Sequence, residues 1–154
     1  MTPPTADSPL LGLLKDHRNG VLATMKKDGR PQLSNVSFTY DEATRIIRIS
    51  VTDTRVKTRN LRRDPRASFY VTTPSFGAYL VVEGDAELSP VAADPHDATV
   101  EELIQVYRAI AGEHPDWDEY RAAMVANQRL VVRLRADRVY GFAPEQGLVS
   151  GSLD

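Results

Sequence analysis

Val21-Leu-Ala-Thr-Met-Lys-Lys-Asp28-Gly29-Arg-Pro31-Gln-Leu-Ser-Asn-Val-Ser-Phe-Thr-Tyr40 is the stretch whose reading decides the fold. Asp-Gly is the dipeptide that a tight hairpin turn favours, because its backbone must enter positive φ. Val21–Met25 therefore reads as one strand and Pro31–Tyr40 as its antiparallel partner. Successive strand side chains point to opposite faces. Val36, Phe38 and Tyr40 then share one face, and Leu33, Asn35, Ser37 and Thr39 share the other. The second face is polar, so it is either solvated or the lining of a ligand groove.

Upstream, Ser8-Pro9 reads as an N-cap with proline at the first helical position. Leu10, Leu13 and Leu14 fall on one face of this short helix, and Asn19-Gly20 ends it. Downstream, a turn at Asp41–Thr44 leads to a strand over Arg45–Thr52. Another strand covers Ala67–Thr73, and a long one covers Ala78–Ser89, broken or bulged at Gly84. Five or six antiparallel strands with one short helix between them suggest a barrel or a strongly curled sheet. Val100, Leu103, Ile104, Tyr107, Ile110 and Ala111 then repeat at helical spacing, with Thr99 and Glu102 at capping-box spacing and Gly112 as the stop. A second helix follows Pro115, its stripe of Trp117, Tyr120, Ala123 and Met124 packing onto the sheet. Arg129–Arg135 and Arg138–Phe142 supply returning strands. No repeat or low-complexity segment divides the chain, so residues 9–142 read as one domain between tails at 1–8 and 143–154.

Six of the 19 Lys and Arg residues fall between Arg55 and Arg66. The run lies between the strand ending at Thr52 and the dipeptide Asp64-Pro65, where the residue before proline leaves helical geometry. A short helix fits, capped by Asp53 or Thr54. Free first-turn amides with Arg55 and Lys57 would make an anion site, since a helix N-terminus carries about half a positive charge. A solvated basic helix is the other reading.

Composition narrows the chemistry. A chain of 154 residues buries about 70% of its unfolded surface on folding and needs no staple. It has no cysteine, which removes thiol nucleophiles and thiolate metal sites and suits a reducing cytoplasm. Neither a signal peptide nor a membrane-length apolar run is evident, so a cytoplasmic, membrane-free protein is expected. A net charge of −2 argues against nucleic-acid binding. His17, His96 and His114 stand singly, without metal-ligand spacing, so no metal is expected. No Gly-x-Ser-x-Gly elbow, Walker loop or Gly-x-Gly-x-x-Gly run occurs. Glu101-Glu102 and the Asp116/Asp118 pair fall on solvent faces of helices. A small sheet domain with a phosphate site and no side-chain catalyst fits an enzyme whose cofactor carries the reaction.

Gly20–Thr24, Asp28–Val36, Lys57–Ser68, Tyr107–His114 and Val139-Tyr-Gly141 closely resemble the deazaflavin-dependent oxidoreductases of the flavin/deazaflavin split β-barrel superfamily, over roughly residues 10–142. The chain more distantly resembles the pyridoxamine 5′-phosphate oxidase-like group. The resemblance implies an α+β, mainly β, split barrel of the FMN-binding-protein kind. It further implies a homodimer with coenzyme F420 at the subunit interface. Phosphate and tail contacts would map onto Arg55, Lys57, Thr58 and Asn60. Contacts near the rings would map onto Ser34, Asn35 and Val36 with Ser50, Val51 and Thr52. Gly77, Ala78 and Tyr79 would come from the second subunit. The implied activity is hydride transfer from reduced coenzyme F420 to a small conjugated acceptor such as FMN or a quinone, with no side chain as catalyst. The alternatives are an FMN-binding oxidase-like enzyme and a non-catalytic F420 carrier. Arg62, Arg63 and Arg66 are read either as tail contacts or as structural partners of Asp64 and the helix end.

Overall fold

The structure, a computed structural model, describes residues 8–144. The expected tails, apart from Ser8, Ala143 and Pro144, lie outside the described residues. The elements are α1 (Pro9–Asp16), β1 (Asn19–Met25), β2 (Pro31–Ser37), β3 (Thr39–Asp41), β4 (Ile46–Thr52), α2 (Val56–Arg63), β5 (Arg66–Thr72), β6 (Tyr79–Asp85), β7 (Glu87–Leu88), α3 (Ala98–Ala111), α4 (Trp117–Ala126), β8 (Arg129–Arg135) and β9 (Val139–Phe142). Antiparallel pairing gives a five-stranded sheet, β2-β1-β5-β6-β9, and a four-stranded sheet, β3-β4-β8-β7. This is the expected α+β split barrel.

The opening hairpin forms as read. Gly29 takes φ 87°, Lys26 and Arg30 close the turn, and Asp28 Oδ1 accepts from the Arg30 amide at 3.0 Å. Its second strand is shorter than expected. The chain leaves one sheet at Ser37 and enters the other at Thr39, so Pro31–Tyr40 is two strands and not one. Phe38 is the pivot: it is fully buried, packs edge-on against Phe69 at 4.9 Å between ring centres, and donates its amide to Arg18 O. Burying one such ring contributes about 1.5–3 kcal/mol, which outweighs an uninterrupted ladder. The same device recurs at Ala86, whose amide donates to Pro65 O while β7 pairs with β8. The break expected at Gly84 lies two residues later, since Gly84 remains paired with Ala67 inside β6.

Two crossings between sheets enclose one core of Leu22, Phe38, Ile49, Phe69, Leu80 and Leu134, which α1 closes with Leu11 and Leu14. Helices α3 and α4 form a second, smaller core with Val131 on the outer side of β8. Helix α3 is capped by Asp97, whose Oδ1 accepts from the Val100 amide at 2.8 Å. The capping box read from Thr99 and Glu102 does not form. Thr99 Oγ1 donates instead to Pro90 O at 2.8 Å. Glu102, expected on a solvent face, accepts from Arg48 Nε and Arg133 Nε at 2.8 Å each and ties α3 to β4 and β8. Among the described residues, no helix is long and apolar enough to cross a membrane.

Candidate functional site

Where β2 ends, its outward residues Asn35 and Ser37 face the beginning of α2 and the ends of β4 and β8. Antiparallel register places Arg129 opposite Thr52 and Val131 opposite Ser50. The result is a continuous open groove with two lobes that share Asn35, Val36 and Ser37. One lobe, of about 370 Å³, is bounded by Ser50, Val51 and Thr52 of β4, by Arg55 and Lys57, and by Arg129 and Ile110. The other, of about 450 Å³, runs over β1 and β5 and is bounded by Asn19, Gly20, Val21, Tyr70 and Thr72. Gly20 permits this floor: a Cβ there would stand 2.5 Å from Phe69 Cζ and 2.9 Å from Tyr70 O, distances at which something must move.

Among the described residues, the first lobe holds three cations and no carboxylate. Lys57 is half-buried, and its ammonium is held below the usual 10.5, first by burial and then by the Arg55 and Arg129 charges. Arg129 Nε is buried and, among the described residues, without a hydrogen-bond partner; its Nη1 reaches Ser50 Oγ only at 3.5 Å. Leaving a buried charged donor unmet costs about 1–3 kcal/mol or more, so this Nε favours an acceptor placed in the lobe. The start of α2 adds to this. Arg55 sits at the N-cap with no side-chain hydrogen bond, so the first-turn amides are free of a protein cap. Asp53, expected as the cap, is instead paired with Arg62. These features fit a phosphate or another multiply charged anion: an acceptor for the orphaned N–H, a counter-charge for three cations, and a helix N-terminus.

Asn35, Val36, Ser50, Val51, Thr52, Arg55 and Lys57 are thus brought together in the groove. Ser34, Thr58 and Asn60 are not. Thr58 is fully buried and donates from Oγ1 to Thr52 O at 2.8 Å, tying α2 to the end of β4. Asn60 Nδ2 donates to Thr24 Oγ1, Thr24 Oγ1 to Gln32 Oε1, and Gln32 Nε2 to Ser34 Oγ, each at 3.1 Å. That chain lies beneath the floor and braces α2 against the hairpin. Gly77, Ala78 and Tyr79 precede and open β6 beside the second lobe. Thr72 Oγ1 donates to Ala78 O at 3.0 Å, and the Tyr79 ring lies 6.0 Å from that of Tyr70.

Arg59 is exposed, and the last three arginines of the basic run have local partners. Arg62 pairs with Asp53, and Arg63 donates to Asn60 Oδ1 and Met25 O. Arg66 grips Asp64, whose carboxyl its hydrogen bonds hold at about 2. Sequence reading missed Arg129, Tyr70 and Thr72. The first carries no local signal, because only the β4–β8 pairing brings it to Lys57.

A family model described as pyridoxamine 5′-phosphate oxidase matches residues 10–143. Among solved structures, a conserved hypothetical protein from Mycobacterium tuberculosis superposes with a TM-score of 0.72 at 24% identity, covering 99% of this chain and 94% of that one. An F420 reductase superposes at 0.60 with 27% identity, covering 84% and 94%. A FAD-binding protein from Mesorhizobium loti superposes at 0.58 with 20% identity, covering 85% and 87%. The first and third likenesses speak to the fold alone.

Proposed function

The chain belongs to the pyridoxamine 5′-phosphate oxidase family, and from that premise we propose that it is an oxidoreductase using reduced coenzyme F420 as hydride donor to a small conjugated acceptor. The observation that carries this reading is the convergence of Arg55, Lys57 and Arg129 at one end of a polar groove, with a buried unpartnered Nε and no carboxylate among the described residues. The likeness to an F420 reductase at 27% identity supports the deazaflavin over the flavin.

Arg55, Lys57, Arg129 and the α2 amides hold the phosphate of the cofactor, and exposed Arg59 extends the positive field toward an acidic tail. Asn35, Ser50 and Thr52 offer donors and acceptors to the ring edges, while Val36 and Val51 supply apolar floor. Thr58, Asn60 and Ser34 act from below by fixing the position of α2. When bound, the reduced deazaflavin supplies a hydride to the acceptor, and a proton from solvent completes the two-electron reduction. The chain's own part is to bind, orient and exclude water.

The proposed unit is a homodimer. On the outer face of the five-stranded sheet, register aligns Asn35, Val21, Tyr70, Val81 and Tyr140 in one row. Tyr140 is 50% exposed, and Leu33 in the neighbouring row 65%. Exposed Leu33 and Tyr140 on this mixed face favour burial against a second copy. The groove opens on that same face, so the second copy's Gly77, Ala78 and Tyr79 would close it.

A binding titration of coenzyme F420 against FMN tests the reading. Tighter binding of the deazaflavin supports it; firm FMN retention with weak F420 binding favours an oxidase-like flavoprotein. Oxidation of reduced F420 with quinones and flavins then separates a reductase from a carrier, since a carrier accelerates none of them.

A further inference from the structure

Resting on the reading just given, we infer that the groove has a single anion pole, so the acceptor is an uncharged conjugated ring compound, and a phosphorylated flavin competes with the cofactor instead of binding beside it. The two lobes differ in charge. Arg55, Lys57 and Arg129 all border the first; among the described residues of one copy, the second is walled by amide, hydroxyl, apolar and tyrosyl groups with no charged side chain.

The nearest arginine in sequence to the second lobe, Arg18, is not among the residues that line it, and its guanidinium bonds to main-chain carbonyls. Its Nη1 donates to Lys15 O and His17 O at 2.8 Å each, and its Nε to Ala109 O at 3.3 Å. Two other arginine-bearing clefts among the described residues hold at least as many acids as bases. One sets Arg66 and Arg138 against Glu83 and Asp85, and its neighbour sets Arg135 and Arg138 against Glu83, Asp85 and Asp137. A phosphate monoester placed in the second lobe would lose water without gaining a counter-charge, and two phosphate anions at one pole repel each other. A flat neutral ring can instead lie against Tyr70 and Val21, with Asn19, Asn35 and Thr72 within its polar rim.

The test is an equilibrium competition with oxidised coenzyme F420, in which no turnover occurs. Riboflavin and FMN are titrated into the full-length protein, with and without F420 at about ten times its dissociation constant. The apparent FMN dissociation constant is expected to rise about tenfold, as simple competition requires, while that of riboflavin changes less than about twofold. FMN binding to the F420-loaded protein with unchanged affinity would overturn the single pole. So would equal displacement of riboflavin, which would show that the ring sites coincide. If F420 does not bind at all, the function proposed above falls, and inorganic phosphate decides the pole by itself. Phosphate that displaces FMN and spares riboflavin sustains the inference, and FMN binding indifferent to phosphate ends it.

Discussion

Arg129 stands opposite Thr52 across the β4–β8 ladder, and its buried Nε has no acceptor among the described residues. Strand pairing holds the arginine in place, and in the proposed reading a bound anion would supply the missing acceptor. Arg129→Gln is expected to raise the dissociation constant of coenzyme F420 about ten- to a hundredfold, the 1.5–3 kcal/mol of one charged hydrogen bond. Riboflavin, which has no phosphate, serves as the control and should be unaffected. Equal losses for both would mean that the substitution disturbs the floor and not the anion pole.

Lys57→Ala should weaken F420 by a similar factor yet stabilise the ligand-free protein. The folded state binds the Lys57 proton less well than the unfolded chain, first because of burial and then because of Arg55 and Arg129. This group's contribution to stability therefore rises with pH between its lowered value and 10.5, and is lost as pH falls through the lowered value. Near neutral pH the substitution removes an unfavourable charge, so the apo melting temperature should increase, with the advantage shrinking toward alkaline pH. Melting curves over that range check it; a lower melting temperature at neutral pH would assign Lys57 a structural role.

Asn60→Ala separates support from contact. The substitution leaves the buried Thr24 hydroxyl without its donor and removes the acceptor of Arg63, which should cost about 1–3 kcal/mol in urea denaturation. Per folded molecule, F420 affinity should change far less than for Arg129→Gln. A hundredfold loss with wild-type stability would place Asn60 in direct contact with the ligand.

Glu102→Ala removes the acid that Arg48 and Arg133 share; its side chain is only 14% exposed. Arg133 keeps Glu87 at 2.7 Å and Arg48 keeps Asp41 at 3.8 Å, so the loss is of the shared, less exposed acid alone and a destabilisation of about 1–3 kcal/mol is expected. Burial works to raise the Glu102 carboxyl, but hydrogen bonds from Arg133 and Arg48 overcome it and hold the group below 4.5. Its contribution is therefore present above 4.5 and lost as pH falls through the lowered value, so the gap between wild type and variant should close in acid. Denaturation midpoints across the acidic range measure this, and a pH-independent gap would rule it out.

Val81→Arg places a charge in the middle of the outer sheet row between Tyr70 and Tyr140. The proposed dimer should then become a monomer by light scattering at micromolar concentration. F420 affinity should fall with it, because the groove loses the wall supplied by the second copy. A monomeric wild type would remove Gly77–Tyr79 from any role in trans.

The sequence by itself determined what is decided over a few residues. Asp28-Gly29 set the hairpin, and the turn formed where positive φ is cheap. The apolar spacing from Val100 to Ala111 set α3, and the cluster from Arg55 to Arg66 marked the cationic corner. Tertiary structure decided what depends on partners distant in the chain. Strand pairing is made by main-chain groups alike in every residue, so nothing local announces that Arg129 will stand beside Thr52. Nor does anything local show that burial of Phe38 will carry the chain from one sheet to the other. Charge runs record how many cations are present; only the fold decides that Arg62 finds Asp53 while Arg55 and Lys57 share a groove with Arg129.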